Sequence, residues 1–146
     1  MPTTDETAEL AARLRLAVTR LARQLRQTSD SDLSPTQSAV LATLANHGPV
    51  TLGELAELER VASPTITKVT GILHERGLVE KLTDPDDRRF VRVELTGEGH
   101  ALVDRNRARK TAWLARQLHD LPADDLERLA AAAEVLEQLT ARKAAR

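Results

Sequence analysis

Two stretches hold side chains whose types and spacing could do chemistry. In SPTITKVT, Ser63, Thr65, Thr67, Lys68 and Thr70 interleave hydroxyl and ammonium groups with Ile66 and Val69; in DPDDRR, Asp84 to Arg89, three acids and two arginines surround one proline. Both stretches offer hydrogen bonds and positive charge of the kind that engages base edges and phosphates. Neither has the makings of a catalytic site. The four histidines, His47, His74, His100 and His119, contain no pair three or four apart, the spacing of a helical metal site. The absence of cysteine excludes disulfides, thiolate catalysis, cysteine zinc sites and thiol redox sensing. No nucleophile motif and no glycine-rich phosphate loop is present. The expectation is a protein that is not an enzyme and has no metal or cofactor.

Composition narrows the partners. A chain of 146 residues fits one domain, or one domain with appended helices. Charged residues make up 29% of it and the formal net charge is only -1, so any basic surface must be local. One Trp, one Phe and no Tyr argue against stacking platforms for single-stranded nucleic acid. No apolar run approaches the roughly 18 residues of a membrane span, and MPTTDETAEL has neither a basic start nor an apolar core, so the expected location is the cytoplasm.

The elements that must position these residues are mostly helical. Apolar Leu10, Leu14, Ala17, Val18, Leu21 and Leu25 share one stripe and predict helix one over Glu6–Gln27, with Arg13, Arg15, Arg20, Arg23 and Arg26 on a solvated face. An interruption at Ser31–Ser34 precedes a capping box in which Ser34 caps, Pro35 opens the helix and Gln37 reaches back. This second helix runs to about Asn46 and stops at His47-Gly48-Pro49. Thr51 and Glu54 form another box, opening a short helix with Leu52, Leu55, Ala56 and Leu58 as the inward candidates. Ser63 is expected to cap a fourth helix, Pro64 to about Arg76, closed by Gly77, with Ile66, Val69, Ile72 and Leu73 on its buried face.

Two short helices with a brief connection are the pattern of a helix-turn-helix. The small, polar, lightly basic face of the second could enter a major groove; the alternative is an amphipathic helix whose threonines are merely solvated. LVEKLT and FVRVELT then read as strands around the turn at Asp84–Asp87, with Val50 available as a third short strand. The charged tip becomes a wing beside the recognition helix, placing Arg88 and Arg89 on a minor groove or phosphate backbone, while Asp84, Asp86 or Asp87 pairs with a guanidinium and fixes the loop. The expected fold is mainly α with a small β-wing: a winged helix-turn-helix plus N- and C-terminal dimerisation helices.

Ser63 to Val103, and above all DPDDRR followed by a strand and LTGEG, resembles the core of the MarR family of transcriptional regulators, and the order of elements matches along nearly the whole chain. The resemblance implies a homodimer presenting two winged modules to double-stranded DNA. It places Ser63, Thr65, Thr67 and Lys68 at the major groove, with Thr70 beside them, and Arg88 and Arg89 on the wing, with Asp87 as the wing-orienting partner. It also implies a small aromatic or phenolic effector between the dimer helices and the winged module, where Trp113 is a candidate pocket wall.

The C-terminal sequence supports a dimer independently. Thr96 to about Leu118 carries the polar middle DRNRARK between apolar ends at Leu102, Val103, Trp113, Leu114 and Leu118. Arg105, Arg107, Arg109 and Lys110 are read as a solvated face. Pro122 opens a last helix whose Leu126, Leu129, Ala133, Leu136 and Leu139 form a helix-packing seam; an intramolecular bundle is the alternative cover. The expected domains are 1–30, an N-terminal helix of the dimerisation region; 31–96, the winged module; and 97–146, the C-terminal dimerisation helices. The expected function is a repressor on a pseudo-palindromic operator with half-sites about 34 Å apart, released by a small molecule. The alternative function is protein contact through the winged module.

Overall fold

A computed structural model describes residues 1–29 and 32–144. The elements run α1 (Thr4–Gln27), α2 (Pro35–His47), β1 (Val50–Thr51), α3 (Leu52–Glu59), α4 (Ser63–Glu75), β2 (Val79–Thr83), β3 (Val91–Leu95), α5 (Gly97–His119) and α6 (Ala123–Ala144). The chain divides into two compact units, Met1–Lys110 and Thr111–Arg146. The expected interruption begins at Ser31, which lies outside the described residues.

Capping sets the helix starts. Thr3, Ser34 and Thr51 each accept from the backbone N–H three residues on, while Glu6, Gln37 and Glu54 reach back to the cap backbone. The Thr3 box starts α1 two residues before the apolar stripe suggested. Gly48, at φ +72, ends α2 in a conformation that an L side chain resists.

The sheet has order β1-β3-β2, all antiparallel, with Val50 opposite Val93, and Val79 opposite Leu95. Val40, Leu41, Leu44, Leu55, Ile66, Leu73, Val79 and Val93 form the nearly solvent-free centre of the first unit. Leu58 departs from expectation: it is 45% exposed, because α3 turns only Leu55 and Ala56 fully inward.

The LTGEG stretch locks the hairpin to the next helix. The Thr96 hydroxyl donates to the Gly77 carbonyl at 2.6 Å and accepts from the Gly99 N–H at 3.1 Å. Gly99 is required by contact: a Cβ there would sit 2.1 Å from the Leu78 carbonyl oxygen.

Candidate nucleic-acid interface

The polar face of α4 is built by burying the opposite one. Ile66, Val69 and Leu73 face the core, and Ser63, Thr65, Thr67 and Lys68 are exposed along the first two turns. Thr67 donates its hydroxyl to the Ser63 carbonyl at 3.0 Å, which leaves the oxygen's acceptor lone pairs toward solvent.

Two expectations for this helix are corrected. Thr70 is not on the polar face: it is 0% exposed, and its hydroxyl donates to the Ile66 carbonyl at 2.8 Å. It falls on the i, i+4 position of the stripe Ile66, Val69, Leu73, so it packs in the core with its one donor satisfied by its own helix. Ser63 does not cap: the cap is Ala62, with no side-chain hydrogen bond. The Ala62 carbonyl already accepts from Thr65 N–H at 3.0 Å and Ile66 N–H at 3.2 Å, taking the donors that a Ser63 cap would need. Ser63 thus becomes the first helical residue, its side chain exposed beside a helix start that no side chain caps.

The wing tip is ordered by its acids. Asp84 Oδ1 accepts from Asp86 N–H at 2.9 Å, and Asp87 Oδ1 accepts from Arg89 N–H at 3.1 Å. Arg89 closes a two-pronged pair on the same carboxylate, Nε to Oδ1 at 2.9 Å and Nη2 to Oδ2 at 2.7 Å. That guanidinium, followed by the Arg89 backbone N–H, holds the Asp87 carboxyl below its ordinary pKa, and the same bond raises Arg89. Phe90 N–H to Asp87 O at 3.1 Å and Asp84 N–H to Phe90 O at 3.2 Å fasten the tip to the strands. Arg88 is exposed and pairs with no acid among the described residues.

The first unit also holds a cleft that the sequence did not announce. Arg23, Arg26, Gln27, Ser29, Leu33, Pro35, Ser38 and Lys110 line a volume of 300 Å³. A neighbouring volume of 120 Å³ shares Leu33, Ser38 and Lys110 and adds Leu41, Val103 and Asn106. The Asn106 side-chain oxygen is buried with no hydrogen-bond partner. Arg23 and Arg26 border this cleft and are exposed, as a solvated face requires, Lys110 is half-buried, and Arg107, also exposed, donates to Asn46 Oδ1 at 3.0 Å. Trp113, in the second unit, is half-buried and lines neither volume. No three His, Cys, Asp or Glu residues converge on a metal position, and no helix is long and apolar enough to cross a membrane, among the described residues.

A helix pair followed by a hairpin, with a polar recognition face and an ordered charged tip, defines a winged helix-turn-helix. The sequence model of the MarR family matches residues 33–91. An uncharacterized HTH-type transcriptional regulator of Mycobacterium leprae is 40% identical over 136 residues, 92% of this chain and 95% of that protein. The HTH-type transcriptional repressor NicR of Pseudomonas putida is 41% identical over 78 residues, 53% of this chain and 49% of that one. The structure of a MarR family protein from Bacillus stearothermophilus superposes with a TM-score of 0.81 over 97% of this chain and 99% of that one, at 22% identity. The chain belongs to the MarR family, and it is a DNA-binding transcriptional regulator and not an enzyme.

Proposed function

We propose that the protein is a homodimeric cytoplasmic repressor that binds a pseudo-palindromic operator and leaves it when a small organic ligand binds. The observation that carries the DNA map is the joint exposure, in one packed module, of Ser63, Thr65, Thr67 and Lys68 on α4 and of an ordered tip bearing Arg88 and Arg89. In this reading α4 lies in the major groove, Arg88 meets the flanking phosphates or minor groove, and Asp87 holds Arg89 in place. The similarity to the repressor NicR supports repression as the sign of regulation.

The dimer is supported by α6, whose Leu126, Leu129, Leu136 and Leu139 are all exposed within this chain. A two-fold partner covering them sets two reading heads about one helical turn apart. For the ligand, the cleft of the first unit is a better site than Trp113. An aromatic or phenolic acid could place its ring against Leu33 and Leu41, its carboxylate near Arg23, Arg26 or Lys110, and its hydroxyl on the Asn106 oxygen. Ligand and DNA would then be coupled through their different affinities for two spacings of the heads.

The test is repeated selection of genomic fragments by the purified protein at stated salt, followed by sequencing. The expected result is an inverted repeat with half-sites about one turn apart. Enrichment of single, unpaired half-sites would sink the dimeric reading. No enrichment would sink sequence-specific operator binding.

A further inference from the structure

We propose that Arg60, in the turn between α3 and α4, is a phosphate contact of the DNA-binding module, retained at a backbone position that favours glycine. The inference rests on the reading that α4 enters the groove. Arg60 adopts φ 55, ψ 43, and it is the one non-glycine residue with positive φ among the described residues. The other two such positions, Gly48 and Gly77, are glycines. The turn itself asks for nothing from an arginine side chain. Arg60 N–H and Val61 N–H close α3 onto Glu57 and Ala56 carbonyls, at 3.2 and 3.1 Å, and those are backbone bonds that glycine would make with less strain.

Nothing else accounts for the side chain. It is exposed, so it fills no core, and it has no ion pair or side-chain hydrogen bond among the described residues. Neighbouring Glu59 accepts from the Thr43 hydroxyl through Oε1 and makes no ion pair with Arg60. What lies next in the chain is the start of α4, whose cap, Ala62, makes no side-chain bond, whereas α1, α2 and α3 are all closed by capping boxes. A guanidinium three residues ahead of Ser63 adds a full charge and a fork of donors to the partial positive charge of that helix start. The group that matches both is a phosphodiester of duplex DNA.

The test compares wild type with Arg60→Gly and Arg60→Lys by thermal unfolding and by binding to a mixed-sequence duplex over a salt series, because a phosphate contact is blind to sequence. Arg60→Gly should raise the melting temperature and yet weaken binding severalfold, with the log-log salt slope smaller by about 1. Arg60→Lys should keep most of the slope. A glycine variant that is more stable and binds as tightly, with an unchanged slope, overturns the proposal. A glycine variant that is less stable overturns it as well, because the backbone argument is then wrong. The wild-type series is a separate check: weak, salt-insensitive binding by wild type would instead overturn the DNA-contact map on which the proposal stands.

Discussion

The helices α4 and α6 are both amphipathic, and they end in opposite situations. The apolar side of α4 is completed within its own chain: Ile66 and Leu73 are 0% exposed, and even Thr70 is drawn into the stripe. The apolar side of α6 is left open, with Leu129 46% and Leu139 54% exposed. A helix of 22 residues with leucines three and four apart is not stable in water by propensity alone; it needs its face covered. One apolar face is therefore finished by folding and the other is left open within the chain, which the proposed dimer would cover, and sequence periodicity alone does not separate the two cases.

The largest expected effect breaks the finished side. Leu55→Ala removes a fully buried side chain beside α4 and should lose about 2–5 kcal/mol of unfolding free energy, read in a urea titration. The corresponding change on the open side should behave differently. Leu129→Glu should leave the fold of the first unit intact while weakening self-association, so that sedimentation shifts toward monomer and operator affinity falls with it. If Leu129→Glu sediments as wild type does, the open face is not the seam between two copies.

Much of this contrast was legible in the residue order. The Ser34 and Thr51 boxes, the stop at Gly48, the hairpin around Asp84–Asp87 and the helix α6 itself all arise from local chemistry, which short-range spacing records. What escaped depended on packing from elsewhere. Leu58 is spaced like a core residue but stays 45% exposed, at the rim of a surface hollow it shares with His47 and Val50. Thr70 was legible after all: residues 66, 69, 70 and 73 are the i, i+3, i+4, i+7 set, and treating threonine as polar hid the fourth member. The cleft at Arg23, Arg26, Lys110 and Asn106 joins residues from three helices, a convergence that sequence spacing does not encode. The left-handed backbone of Arg60 had no signal, because the residue type argues against it.

At the wing and along α4 the comparison becomes one between contact and support. Arg88→Ala should reduce affinity on every sequence and lower the log-log salt slope by about 1, the mark of one lost phosphate contact. Arg89, already bonded to Asp87, should show a smaller slope change when replaced, with the loss coming from a disordered tip. On α4, Thr67→Val should change which base pairs are preferred, by up to about 1–3 kcal/mol at a contacted position. Thr70→Val should leave sequence preference unchanged, because its hydroxyl already serves the Ile66 carbonyl. Selection experiments on the two variants settle the assignment: a changed motif from Thr70→Val would mean that α4 is rotated relative to the present reading.

The smallest effect concerns the order of the wing itself. Asp87 titrates below its ordinary value because the Arg89 guanidinium and then the Arg89 backbone N–H bind the ionised carboxylate. A depressed folded pKa means that the ordering contribution is complete above the unfolded value, about 3.9, and disappears as pH falls through the lower folded value. Arg89 stays charged throughout, since its own pKa is raised from a value already far above neutrality. The tip should hence be equally ordered from neutral pH down to about 5 and loosen only below about 4, followed by exchange of the Arg89 side-chain Nε–H. Arg89 is exposed and Asp87 only half-buried, so solvent screens the pair and global stability should barely respond. Asp87→Asn should give the loosened tip at every pH, with weaker DNA binding and an unchanged melting temperature. An Arg89 Nε–H that is no less protected in Asp87→Asn than in wild type would mean that the hairpin holds the wing without the ion pair, and that the acids there serve some purpose other than positioning.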